Sequence, residues 1–366
     1  MTIQIRAAVA RGAGQDLSIE NIQLDEPRPD EILVKVVGTG VCHTDLVVMA
    51  GHLPTPMPVV LGHEGAGIVE RVGSAVKKVK AGDHVVMTFN SCGNCPSCRD
   101  HDISYCYEFF PRNFFATRAD GSVAINKDAE KIHSNFFGQS SWASHAICHE
   151  ANVVKVDPSA QLDILGPLAC GIQTGAGTVM NALKVQPGKS FVVFGAGSVG
   201  LSAVMGAVVQ GATTIIAVDM HDSRLALARE LGATHVINAK SDDVVGQIHA
   251  LTGGVNYALD TTGLPAVIRQ AVDALAPRGT CAILGAPMPG SEISVDNTGF
   301  MSMGKKLIGV VEGQSNPDTF IPTLISLWQA GRFPFDKLVK FYDFADINTA
   351  IHDSHAGTTI KAIVRM

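Results

Sequence analysis

The stretch "SFVVFGAGSVGLSAVMGAVVQGATTIIAVD", residues 190–219, decides the fold of this 366-residue chain. It is apolar for well over the roughly 20 residues of a membrane span, but glycines punctuate it where a nucleotide site wants them. An apolar strand ends at Phe194, "GAGSVG" follows with Gly195, Gly197 and Gly200, a helical pattern opens, and "TIIAVD" brings a second strand to Asp219, 19 residues after Gly200. In such a strand–turn–helix, Gly195 permits the tight turn, Gly197 lets backbone approach a pyrophosphate, and Gly200 packs helix on sheet, while the helix N-terminus attracts phosphate. Asp219 is placed to accept hydrogen bonds from ribose hydroxyls, and a 2′-phosphate would meet its carboxylate, so NAD is expected over NADP. A glycine turn that only packs a helix on a strand is the alternative; the patterns on both sides favour the βαβ unit.

Outward from this stretch the same grammar continues. The helical "DSRLALARELGA" (222–233) closes on Gly232, then "HVIN" (235–238), "YALDTTG" (257–263), a helix over "LPAVIRQAVDALAPRG" (264–279) and the strand-like "KKLIGVVEG" (305–313) alternate, which implies α/β architecture: a doubly wound parallel sheet with helices on both faces. This region is expected to run over 171–314. Before it, short alternating runs such as "ILVKVVGTGV" and "DHVVMTF", bounded by Gly, Pro and Asp, read as antiparallel strands. A β-rich domain of residues 1–170, completed by a return of 315–366, is the second unit, and the length also favours two domains.

With 46% apolar and 17% charged residues and a mean hydropathy of +0.21, the chain can bury a large core and is not a disordered protein. The net charge of −6 comes without a block of Lys or Arg, which argues against nucleic acid and for a small neutral or apolar ligand. The start, "MTIQIRAAVARG", alternates like a strand and lacks the basic region and apolar run of a secretion signal. A cytoplasmic protein with no membrane association is expected.

Eight cysteines in such a chain point to metal rather than disulfides. "CGNCPSCRDHDISYC" spaces Cys92, Cys95, Cys98 and Cys106 as C-x2-C-x2-C-x7-C, which suits a closed, structural, tetrahedral zinc. An iron–sulfur cluster is the competing reading. Of the other cysteines, Cys42 and Cys170 sit in glycine-flanked segments, "GTGVCHTD" and "GPLACGIQTGAG", with "GHEGAG" carrying His63 and Glu64 between them; Cys148 and Cys281 lie in apolar runs and read as packed thiols.

With these landmarks in this order, the chain resembles the zinc-dependent medium-chain alcohol dehydrogenases over essentially its whole length. The resemblance implies a GroES-like catalytic domain beside the Rossmann domain, two zinc ions per subunit, NAD, and a small alcohol or aldehyde substrate. Cys42, His63 and Cys170 would hold a catalytic zinc with one position open to substrate, a set that retains Lewis acidity. Asp45 would orient the His63 ring, and Glu64 would tune the metal. Thr44 would take the alcohol proton. Relatives pass that proton to a histidine at the position that is Val47 here; His43 is therefore expected to bind cofactor phosphate and receive the proton, the alternative being that it only binds the cofactor and water takes the proton directly. By the same resemblance Thr174 touches the nicotinamide, Arg224 the adenosine ribose and Lys361 the pyrophosphate.

Within the family, "FFGQSSWASHAICHE", "VVEGQS" and "FPFDKLVKFYDF" look most like the bacterial aryl-alcohol (benzyl-alcohol) dehydrogenases, with Trp142 and Phe89 as expected walls of an aromatic pocket. An allylic or terpene alcohol of the perillyl or geraniol type is the alternative, followed by a glutathione-dependent formaldehyde dehydrogenase. The resemblance also implies a homodimer or homotetramer.

Overall fold

A computed structural model describes residues 2–240, 243–285 and 290–366. The stretch 190–219 folds as strand β1 (Ser190–Phe194), a helix Ser198–Val209, and strand β2 (Thr214–Asp219). Four more strands complete the sheet: β3 (His235–Asn238), β4 (Val255–Asp260), β5 (Leu275–Ile283) and β6 (Lys306–Gly309). All neighbours are parallel, in the order β3-β2-β1-β4-β5-β6. Helix 198–209 is buried along most of its length, from Gly200 to Ala207, which explains its apolar character on all sides. Among the described residues no helix is long and apolar enough to cross a membrane.

One boundary differs from the sequence pattern. The helix expected over 264–279 spans only Pro265–Asp273, because Leu275 already pairs with Val255 and begins β5. Pro277 and Gly279 disfavour a longer helix, and ladder hydrogen bonds take over once the chain reaches the sheet.

The chain divides into two compact units: Gly171–Ser315 with Ser326–Phe335, which contains the parallel sheet, and the residues up to Cys170 with Asn316–Ile325 and Asp336–Met366. In the second of these, strand Glu31–Gly40 is the hub. It pairs antiparallel with Gly65–Val72, His145–His149 and Lys361–Arg365, with Thr39 opposite Gly65 and Gly40 opposite Ile363. Register therefore brings three chain ends to one place: the exit toward Cys42, the entry from His63 and Glu64, and the start of the last strand at Lys361.

Trp142 and Phe89, expected as pocket walls, belong to the hydrophobic core of this unit at 0% and 3% exposure. Trp142 donates its indole N–H to the Gly40 carbonyl at 3.3 Å and fills the space beside Gly62. Gly62 has φ +88°, and a Cβ there would lie 2.4 Å from Trp142 Cδ1. Gly62→Ala is accordingly expected to destabilise the protein by about 2–4 kcal/mol, from left-handed strain plus overpacking, read as a lower urea midpoint at unchanged m-value.

Candidate active site

The Cys42 and Cys170 sulfurs and a His63 ring nitrogen lie within 4.8 Å of one another. Cys42 caps the helix His43–Met49, His63 precedes strand Gly65–Val72, and Cys170 closes the 3₁₀ turn Gly166–Ala169. Asp45 organises two of the three. One of its oxygens takes His63 Nδ1 at 2.9 Å and the Gly62 N–H at 3.1 Å; the other takes the Cys42 N–H at 3.1 Å. The imidazole is thereby fixed by one nitrogen, and the other, Nε2, is buried with no hydrogen-bond partner among the described residues.

That orphaned nitrogen beside two sulfurs is the donor set of a zinc site. The electrostatics agree. The bond to Cys170 holds the Cys42 thiol well below the usual range despite burial, with help from His63. Burial opposes a charged His63, yet Asp45 and Cys42 raise its pKa well above normal. A cluster that draws a proton this strongly attracts a cation, and zinc binding would displace that proton.

Beneath the cluster, Lys361 and Glu64 form an ion pair at 1% and 0% side-chain exposure, with Nζ 2.9 and 2.8 Å from the two carboxylate oxygens and 3.1 Å from the Val41 carbonyl. Glu64 holds Lys361 protonated, its pKa raised despite burial. This corrects the expectation for Lys361: its ammonium is turned inward to Glu64, next to Cys42, rather than outward to a phosphate.

Three residues that no motif announced complete the surroundings. Gln139, 1% exposed, donates to the His63 carbonyl at 3.0 Å and the Met87 carbonyl at 3.1 Å, and accepts from the Gly65 N–H at 3.0 Å. Phe137 stacks on the His63 ring at 4.5 Å and 26°, and Phe136 meets the same ring edge-on at 5.6 Å. The doublets "FF" at 109–110, 114–115 and 136–137 were the available signal, but spacing alone did not say that they meet a histidine. Thr44 Oγ1 lies 3.9 Å from Cys42 Sγ, His43 is exposed, and Val47 is half-buried.

In the cysteine loop the four sulfurs also lie within 4.8 Å of one another. Backbone N–H groups point at them: Cys95 to Cys92 at 3.3 Å, Cys92 to Cys106 at 3.2 Å and Glu108 to Cys106 at 3.4 Å. The Tyr107 backbone N–H brings Cys95 down to about 6, whereas burial pushes Cys106 up to about 12. Amide donors on converging sulfurs favour thiolates, as a closed zinc site requires. Cys148 and Cys281 are buried, 1% and 0% exposed, and burial pushes both thiols up.

The glycine turn fits a dinucleotide. Gly195 has φ +93°, a Cβ on Gly200 would meet the Gly195 carbonyl at 1.8 Å, and a Cβ on Gly197 would face open space. Asp219 accepts from the Ala196 N–H at 2.7 Å and the His221 N–H at 2.9 Å, with Arg224 Nη1 at 3.8 Å. Asp219 and Arg224 thus meet at the end of β2, where an adenosine ribose lies in this topology. Thr174, on the helix Gly171–Gly177, is half-buried.

Comparison with known proteins agrees with this geometry. Residues 28–158 match the alcohol dehydrogenase GroES-like domain and 198–329 the zinc-binding dehydrogenase domain. The chain is 44% identical to the geraniol dehydrogenase of Castellaniella defragrans over 99% of this chain and 98% of that one. It belongs to the zinc-dependent medium-chain alcohol dehydrogenases. Among solved structures, the benzyl alcohol dehydrogenase of Acinetobacter calcoaceticus superposes with a TM-score of 0.97 at 48% identity, covering 100% of this chain and 99% of that one. A zinc-binding alcohol dehydrogenase domain protein from Burkholderia ambifaria superposes at 0.99 with 54% identity and complete coverage of both chains.

Zinc and NAD are the cofactors of this alcohol dehydrogenase, and the two sulfur clusters and the glycine turn are where its residues fit them. Cys95→Ser should remove about one of two zinc ions per chain in elemental analysis while leaving the Cys42, His63 and Cys170 set loaded. Asp45→Asn should weaken binding of the other zinc by about 10- to 100-fold, measured by competition with a chromogenic chelator.

Proposed function

We propose that this dehydrogenase interconverts benzyl-type aromatic primary alcohols and their aldehydes, with alcohol plus NAD⁺ giving aldehyde, NADH and a proton. The observation that carries the reading is the aromatic wall at the metal ligand: Phe137 and Phe136 against His63, continued by Phe114 at 5.1 Å from Phe137 and by Phe109 at 6.4 Å. Flat apolar rings beside the reacting centre favour a substrate that is itself a ring. Zinc held by Cys42, His63 and Cys170 supplies the Lewis acidity that makes an alcohol hydroxyl acidic, and NAD supplies the hydride acceptor.

The chain's own residues do the rest. Asp45 fixes the imidazole and the Cys42 backbone, so the donor set is held ready. Thr44 takes the alcohol proton on its hydroxyl oxygen as it releases its own. His43, first residue of the helix and exposed, receives that proton in place of the absent histidine at 47 and contacts cofactor phosphate. Lys361 offsets the charge of Glu64, so that this second carboxylate does not act unopposed on the metal site. Asp219 and Arg224 bind the adenosine ribose, and Thr174 the nicotinamide.

A second reading has its own support: the 44% identical geraniol dehydrogenase makes an allylic terpene alcohol the alternative substrate. We also take the protein as a cytoplasmic homodimer or homotetramer, with β6, which among the described residues pairs only with β5, as the edge that meets its copy.

Steady-state kinetics with NAD test the substrate. Benzyl alcohol should exceed ethanol in kcat/KM by at least about 100-fold, from burial of the ring, and should exceed geraniol; a preference for geraniol or perillyl alcohol would establish the terpene reading, and a preference for ethanol would refute both. His43→Gln should lower kcat at saturating NAD by about 10- to 100-fold. Weaker NAD binding with unchanged kcat would remove the relay role from His43.

A further inference from the structure

A carboxylate outside the machinery above is held with unusual care. Glu312 follows the carboxyl end of β6 and is 8% exposed. Its backbone is left-handed, φ +48°, as are those of Gly313 (+66°) and Gln314 (+47°). Side chains with a Cβ rarely occupy this region, and such conformations persist where the surroundings over-determine them. The surroundings here are the helix Gly171–Gly177. A Cβ on Gly313 would lie 2.4 Å from the Gln173 carbonyl, Ser315 Oγ donates to Gln173 Oε1 at 2.9 Å, and Glu312 itself accepts from Thr174 Oγ1 at 3.3 Å and, more weakly, from Gln173 Nε2 at 3.5 Å.

The sheet order says which part of a dinucleotide this turn faces. In a β3-β2-β1-β4-β5-β6 sheet the ligand lies across the carboxyl ends at the switch between β1 and β4. Asp219 at the end of β2 marks the adenosine half. The nicotinamide half is therefore that of β4, β5 and β6, and the turn after β6 belongs to it. A strained turn thus holds a carboxylate against the helix that carries Thr174, on the side where the ring changes charge. Oxidised nicotinamide is a cation, reduced nicotinamide is neutral, and a fixed anion in a partly dehydrated site attracts only the first.

The geometry points to Glu312 as a positioning residue whose charge, delivered beside Thr174, makes the site discriminate in favour of NAD⁺ over NADH. The inference rests on nicotinamide binding in the half of the site argued above. It concerns binding rather than turnover, because the anion's attraction is lost once hydride arrives and the ring becomes neutral.

The test is a pair of dissociation constants on the zinc-replete protein: NAD⁺ by calorimetry and NADH by its fluorescence. Glu312→Gln should raise the ratio Kd(NAD⁺)/Kd(NADH) by about five- to tenfold, almost entirely through weaker NAD⁺ binding. Glu312→Asn, which is neutral and better suited to a left-handed backbone, should shift the ratio in the same direction and serves if the glutamine variant folds poorly. Glu312→Asp, which keeps the charge, should hold the ratio within about twofold even where both constants rise. Equal weakening of both forms, or no change in either, by the neutral variants would overturn the inference and leave Glu312 a packing residue. Failure of the unaltered protein to bind either form would instead refute the dinucleotide site itself.

Discussion

The buried Lys361–Glu64 ion pair ties together the three chain segments on which the metal centre depends. Lys361 opens the last strand, Glu64 follows His63, and the same ammonium reaches the Val41 carbonyl one residue before Cys42. Enclosing two charges this completely is favourable only when geometry and additional hydrogen bonds offset desolvation, and removing one partner typically costs about 3–5 kcal/mol. Here both carboxylate oxygens are engaged and the ammonium has a further acceptor. The pair therefore acts less as a source of net stability than as a register pin: it can form only when the last strand, the hub strand and the ligand segment are aligned.

Hydrogen bonding around His63 continues the same logic at shorter range. Asp45 takes the ring and the Gly62 and Cys42 amides, while Gln139 takes the His63 carbonyl and the Gly65 amide. The ligand segment is thus held from both sides by side chains that are almost fully buried, and Trp142 fills the space against Gly62. Rigid support of this kind is what a three-ligand metal site needs, since an open coordination position is useful only if the other three do not move to close it.

The sequence disclosed what local chemistry repeats and concealed what distant pairing creates. Gly195, Gly197, Gly200 and Asp219 lie within 25 residues of one another, and the strand–turn–helix pattern around them is local, so the parallel sheet was legible. The four-cysteine spacing was legible for the same reason, and Cys42, His63 and Cys170 became so through ordered resemblance. Lys361 was not: its partner is 297 positions away, and only the register of Gly40 with Ile363 brings them together. Aromatic side chains suit pockets and cores alike, and Trp142 and Phe89 share one buried cluster with Phe136 and Phe137. Phe136 and Phe137 carried no expected role, yet they are the rings that meet His63.

Backbone strain marks what motifs do not. Asn135, Phe137 and Ser140 have φ of +68°, +50° and +53° around Gln139, and Glu312 and Gln314 flank Gly313 with +48° and +47°. Each such non-glycine residue costs on the order of 1 kcal/mol or more, a burden that hydrophobic packing elsewhere must offset. In the first turn the strain delivers Phe137 to the His63 ring and Gln139 to its carbonyl; in the second it delivers Glu312 to Thr174. A relaxed turn of the same length would send these side chains elsewhere. Left-handed non-glycine residues also occur away from these turns, at Ala116, Asp128, Lys184 and Arg278; what sets these two turns apart is that the strain coincides with buried side chains held against His63 in one unit and Thr174 in the other.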